Sequence, residues 1–219
     1  MSAACAEIAR RFDPDLHRAA MFAPEPLRAR LMVLIAFDVE CARALGASDQ
    51  MIARMRLQWW RDRVEDALQG TRAEHEVAGP LARLIKESAW ETPTIEAYFD
   101  GWETMLDGPL SAEDFETWQE RRFGPWLDFA ARAACPTITA EDQTALSAMG
   151  RAMTLAFVLR NAVAMAGQGM YLLPVAGLDR AALARGETTE SERGVAAELA
   201  ARNLEALEQA RSLRVSKGL

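Results

Sequence analysis

An all-α fold is what this sequence predicts, and three observations predict it. Apolar residues recur with helical rather than strand period in every long segment. The breaks between those segments carry helix caps and stops, among them Asp13-Pro14, Thr92-Pro93, Gly108-Pro109, Ser111 with Asp114, and Thr139 with Asp142. No internal repeat, low-complexity tract or Gly/Ser/Pro-rich linker divides the chain, so residues 1–219 read as one domain of about eight helices.

In chain order, Asp13 caps a helix that opens on Pro14, where the missing N–H costs nothing. Glu25-Pro26 repeats that pattern, and the helix after it runs to Gly46. Ser48 is the expected cap of the next helix, which ends near Gly70, and residues 71–80 are polar and broken. Thr92-Pro93 opens a helix that stops at Gly108-Pro109. The Ser111/Asp114 and Thr139/Asp142 pairs start helices near 112 and 140, the first of them kinked at Gly124-Pro125. Gly167-Gln168-Gly169 and Tyr171-Leu172-Leu173-Pro174 form a loop, and a last long helix covers Glu190 to Leu213.

At 24.2 kDa the chain is long enough to bury roughly 70% of its unfolded surface, and with half its residues apolar it does not belong to the disordered class. A net charge of −7 and a pI near 5.0 oppose broad binding to nucleic acid or anionic lipid, while leaving room for a local basic patch. The longest apolar stretch, Leu31 to Phe37, is bounded by Arg30 and Asp38 and falls short of the roughly 20 residues of a membrane span. The first dozen residues have no basic start with an apolar core, so the expected location is the cytoplasm, with peripheral association at the inner face of the membrane as the variant. Cys5, Cys41 and Cys135 share no motif spacing and read as core fillers. His17 and His75 lie far apart and read as surface or packed residues, which leaves zinc and histidine-activated nucleophiles without support.

Three places could carry chemistry. On the helix from Leu27 to Leu45, residues Leu31, Leu34, Ile35, Asp38, Cys41, Ala42 and Leu45 share a stripe that turns Asp38 inward, as a cavity wall or as a structural ion-pair partner. Glu40 points elsewhere. The next helix aligns Ile52, Arg56, Trp59, Arg63 and Asp66. Its arginines either grip an anion or planar group around the tryptophan, or pair with Asp62, Glu65 and Asp66 while Trp59 and Trp60 anchor the core. Farther on, Arg160 shares a face with Met149, Met153, Phe157 and Ala164 and is expected to point inward, ahead of the glycine loop.

The order of these landmarks resembles the squalene/phytoene synthase family. Ala23-Pro24-Glu25-Pro26-Leu27-Arg28 with Leu34-Ile35-Ala36-Phe37 is similar to the family's opening, and Gln58-Trp59-Trp60-Arg61 through Gly70 to its tryptophan helix. Leu159-Arg160-Asn161 through Tyr171-Leu172-Leu173-Pro174 is similar to its second motif. The resemblance covers residues 12 to 213 and implies an isoprenoid-synthase-like bundle around a central cavity, with Asp38, Arg56, Trp59, Arg63, Arg160, Asn161 and Tyr171 as cavity or ligand-binding candidates. It also implies further helices beyond the last one read here. Active relatives carry two aspartate clusters that hold magnesium against the diphosphates of two prenyl substrates. By the same alignment the first cluster falls on Ala42, Arg43 and Gly46 and the second on Asn161 and Met165, so the carboxylates are missing. The pattern resembles the branch that includes complex I assembly factors. It implies a protein that does no catalysis, needs no cofactor and binds a protein partner or a prenyl lipid. The competing expectation is an active prenyltransferase that condenses two prenyl diphosphates head to head with magnesium.

Overall fold

The computed structural model describes residues 2–213 other than 48, 72 and 136. Among these residues it contains ten α-helices, one 3-10 turn and no strand. The helices are α1 (Ala3–Phe12), α2 (Pro14–Ala20), α3 (Leu27–Leu45), α4 (Gln50–Leu68), α5 (Ala78–Ser88), α6 (Thr92–Glu103), α7 (Ala112–Ala134), α8 (Ala140–Ala166), α9 (Arg180–Ala184) and α10 (Glu190–Ser212). Three of the ten, α1, α5 and the five-residue α9, have no helix start in the sequence reading, and α5 begins within residues 71–80, which were expected to be broken. α1 lacks an acidic first turn, and α9 is too short to show a period.

The local signals act as their chemistry demands. The Asp13 side chain accepts the N–H of Leu16 ahead of Pro14. Thr139 and Asp142 exchange hydrogen bonds of 2.9 and 3.1 Å in a complete capping box at the start of α8, and Thr189 with Glu192 forms another for α10. The expected cap Ser48 lies outside the described residues. Asp49 caps α4 by accepting from Met51 and Ile52. α7 continues through Pro125.

By packing, the chain divides into two compact units. The first holds α1 to α5 and, from residues 128–138, the end of α7. α3 is its centre and packs against α1, α2, α4 and α5. From Met32 to Val39 every residue of α3 is buried, Asp38 included, so the inward placement of that carboxylate holds. Cys5 and Cys41 are buried fillers, whereas Cys135 is half-buried. The Trp90 ring stacks on Phe129 at 3.8 Å, and Arg132 ties Asp128 at 2.6 Å to Glu91 at 2.8 Å.

The second unit is built on α6, most of α7, α8, α9 and α10. Two glycines set its helix spacing. A Cβ on Gly101 would strike the backbone carbonyl of Arg121, and one on Gly150 would lie 2.9 Å from Cα of Gly124. The backbones of α6 and α7, and of α7 and α8, therefore meet with no side chain between them. Trp118 donates to the Gly101 carbonyl at 2.8 Å, and Thr154 to that of Gln119 at 2.9 Å. The buried Arg122 guanidinium lies 3.6 Å from the Trp102 ring centre and 4.1 Å from that of Phe123. No helix among the described residues is long and apolar enough to cross a membrane.

Candidate functional site

In the first unit, the end of α3, the middle of α4 and the turn before α5 enclose a cleft of about 460 Å³. Its lining is Glu40, Arg43, Ala44, Arg56, Trp59, Trp60 and His75. Trp59 and Trp60 are consecutive on α4, so the 100° helical step sends them in different directions. Trp60 is 4% exposed and sits edge-on to Phe37 at 5.5 Å, while Trp59 is 39% exposed. The two indoles meet nearly at right angles, 4.9 Å apart. The imidazole of His75 lies 5.4 Å from each of them.

His75 is held by its own turn. Its Nδ1 accepts the backbone N–H groups of Val77 at 3.1 Å and Ala78 at 3.2 Å, capping α5 in place of a carboxylate or hydroxyl. While Nδ1 accepts these two N–H groups, Nε2 is the ring nitrogen left to donate.

The charges divide unequally. Arg43 is bound by Glu40 at 2.6 Å, one helical turn back, and rests 5.1 Å from the Phe12 ring centre. Arg56 has Ile52, Ala53, Trp59 and Trp60 at the helix-neighbour positions, so α4 offers it no carboxylate. Among the described residues it makes no hydrogen bond or ion pair. The lining therefore carries two guanidiniums, the ring nitrogens of Trp59, Trp60 and His75, and a single carboxylate that is engaged by Arg43.

Of the residues expected from sequence, Arg56 and Trp59 meet in this cleft. Arg63 stands just outside it, 5.4 Å from the Trp59 ring centre and paired with Asp66 at 2.7 Å, which is the surface-pairing alternative. Asp38 is buried in α3 and does not line the cleft. Arg160, Asn161 and Tyr171 belong to the second unit. Arg160 corrects the reading made from helical phase, since it is exposed. α8 instead buries Ala145, Ala148, Ala152, Leu155, Ala162 and Ala166, an alanine-rich side that allows close helix approach. The helix is aliphatic around most of its circumference, so apolarity alone could not select the buried face. Asn161 turns its amide back to donate to the Phe157 carbonyl at 2.8 Å, and the half-buried Tyr171 packs its ring 5.2 Å from the Arg180 guanidinium carbon. The residues sequence reasoning missed are His75 and the Glu40–Arg43 pair. A histidine two residues before Val77-Ala78 is the only trace of the first.

At the positions the resemblance assigned to magnesium, Ala42, Arg43 and Gly46 are all exposed near the end of α3. They offer a methyl group, a guanidinium and a bare backbone. The half-buried Asn161 and Met165 offer an amide and a thioether. That donor set does not fit magnesium, which takes hard, mostly anionic oxygen. Among the described residues no group of three or more His, Cys, Asp or Glu is placed to hold a metal ion.

No curated protein shows significant sequence similarity to the chain. Among solved structures, squalene synthase HpnC from Alicyclobacillus acidocaldarius is similar at a TM-score of 0.77 and 16% identity, over 95% of this chain and 81% of that one. A dehydrosqualene synthase in complex with ligand is similar at 0.75 and 17%, over 99% of this chain and 78% of that one. At such identities the likeness speaks for the fold, which is isoprenoid-synthase-like. The family model for squalene/phytoene synthase matches residues 9–216. The chain belongs to the squalene/phytoene synthase family.

Proposed function

We propose that this chain is a squalene/phytoene synthase-like protein that no longer condenses prenyl diphosphates. It acts by binding, to a protein partner in respiratory complex I assembly or to a prenyl lipid, in the cytoplasm or against the inner face of the membrane. The observation that carries the reading is Arg43. At a position where an active relative would hold magnesium with a carboxylate, this chain carries a cation bound to Glu40 at 2.6 Å. A divalent ion brought there meets like charge, and neither Ala42 nor Gly46 supplies a compensating oxygen from its side chain. Asn161, the one neutral oxygen donor at the second cluster, cannot replace two carboxylates.

The test is incubation of the purified protein with magnesium and farnesyl or geranylgeranyl diphosphate. The expected result is no release of diphosphate and no C30 or C40 product. Turnover that disappears with EDTA would establish the competing reading, a working prenyltransferase. The assembly role is checked separately by deleting the gene in its host and measuring assembled complex I.

A further inference from the structure

The outer side of α4 changes chemistry along its length. The inner side, Ala53, Leu57, Trp60, Val64 and Ala67, repeats every three or four residues and is buried where the helix packs against α3 and α5. A helix packed along one stripe is expected to be polar on the opposite one, and the C-terminal half of α4 is, with Asp62, Glu65 and Asp66. The N-terminal half is not. Met51 is 65% exposed, Met55 67%, Ile52 45% and Trp59 39%. At about 100° and 1.5 Å per residue these four cover an arc of about 100° over about 12 Å, with Arg54 about 60° beyond one edge and Arg56 about 40° beyond the other. Large apolar side chains gathered on one helix face mark a binding surface rather than ordinary scatter, and methionines let such a surface adapt to what it meets.

We propose that this face docks an amphipathic helix of another protein, one that carries carboxylates on either side of its apolar stripe. Bulky apolar residues three or four positions apart on that helix lie along Met51, Ile52, Met55 and Trp59, and the flanking Asp or Glu side chains reach Arg54 and Arg56. Charge selects this occupant over two others. A second copy related by a two-fold axis at Met55 would set its Arg54 and Arg56 against Arg56 and Arg54 of the first. An anionic membrane surface would meet the apolar arc and the arginines, but also Asp62, Glu65 and Asp66 farther along the same side, in a chain of net charge −7. The apolar arc spans only about two turns, which suits a transient contact rather than a permanent interface. The proposal rests on the reading of the protein as one that binds a protein partner, but it fails separately. Turnover with magnesium overturns that reading, whereas the α4 face is judged by peptide binding with no metal or prenyl substrate present.

The experiment follows the fluorescence anisotropy of a labelled helical peptide titrated with the full chain. The acidic probe has leucine at heptad positions a and d, glutamate at e and g and alanine elsewhere, and a basic counterpart has lysine in place of glutamate. Vesicles of phosphatidylcholine with phosphatidylglycerol, and sedimentation equilibrium of the protein alone, test the other two occupants. The wild type is expected to bind the acidic peptide and not the basic one. Met55→Glu, which puts a carboxylate at the centre of the apolar arc, should weaken that binding by about tenfold or more. Arg56→Gln should weaken it by a smaller factor, since charges at a rim contribute less than the centre, and Met55→Leu should retain it. Met55 is largely exposed and glutamate is a good helix former, so Met55→Glu should keep the wild-type melting temperature. Leu204→Glu, at a 64% exposed position on α10, should bind the peptide as the wild type does. No binding of the acidic peptide, equal binding by wild type and Met55→Glu, or equal binding of the two peptides overturns the proposal. So does a dimer that Met55→Glu dissociates, or Met55-dependent binding to the vesicles in place of the peptide.

Discussion

The sharpest test of the α4 geometry is a comparison of its two adjacent tryptophans. Trp60 is 4% exposed, edge-on to Phe37 at 5.5 Å and at right angles to Trp59 at 4.9 Å. Trp60→Ala leaves a void beside Phe37, and truncations of buried tryptophan cost about 3–5 kcal/mol. Trp59 is 39% exposed and loses only partial burial, its contact with Arg63 and its edge contacts with Trp60 and His75. Trp59→Ala should cost about 1–2 kcal/mol on that basis. Arg63→Ala gives up one partly exposed pair with Asp66, worth about 0–1 kcal/mol. For a chain of this length each kcal/mol moves the melting temperature by about 2–4 °C, so Trp60→Ala should lower it by about 6–20 °C. Thermal unfolding followed by circular dichroism at 222 nm reads the ranking directly. If Trp59→Ala falls as far as Trp60→Ala, or Arg63→Ala falls farthest, the assignment of faces on α4 is wrong.

Other consequences follow from single features of the structure. Gly101→Ala should destabilise by about 3 kcal/mol or more, because the new methyl group meets the Arg121 backbone, and Gly150→Ala should do the same against Gly124. Gly194→Ala, on α10 with nothing within 4 Å of its added Cβ, should instead stabilise by about 0.5–1 kcal/mol, and equilibrium denaturation of the three variants separates close approach from helix propensity. Magnesium at millimolar concentration should leave the melting temperature unchanged even with a prenyl diphosphate present, since stabilisation requires a site that binds the ligand. A rise of several degrees that needs both would count against the proposal that the metal-binding carboxylates are missing. Burial pushes the Cys5 thiol above its ordinary value, so the native state keeps that proton to higher pH than the unfolded chain. The contribution is full below the unfolded value and is lost as pH rises through the folded one, so Cys5→Ala should flatten the alkaline decline in stability. In the wild type, iodoacetamide should label the half-buried Cys135 before Cys5.

Much of the molecule was legible before any coordinates. The Thr139/Asp142 box predicted the start of α8 because a side chain three residues away satisfies an end N–H locally, whatever the rest of the fold does. Asp38 was correctly turned inward because α3 buries a broad, continuous apolar side. Arg160 failed the same argument. Its helix is apolar on several sides, and the alanines that let neighbours approach selected the buried one. His75 reads from sequence only as a surface or packed residue, because capping by an imidazole needs only one turn geometry and leaves no pattern in the residues around it.

By itself the sequence determined the helical class, most of the helix starts and the family, since periodicity, caps and the order of motifs are local or linear properties. It also determined that the carboxylates expected at 42, 43, 46, 161 and 165 are not there. Tertiary structure decided which of two adjacent tryptophans is core, that Arg43 is held by Glu40, and that Arg56 and His75, 19 positions apart in the chain, open into one recess. Those outcomes depend on which helix packs against which and at what angle. Residues distant along the chain settle that together, because side-chain volume and unpaired charge must be satisfied in three dimensions at once.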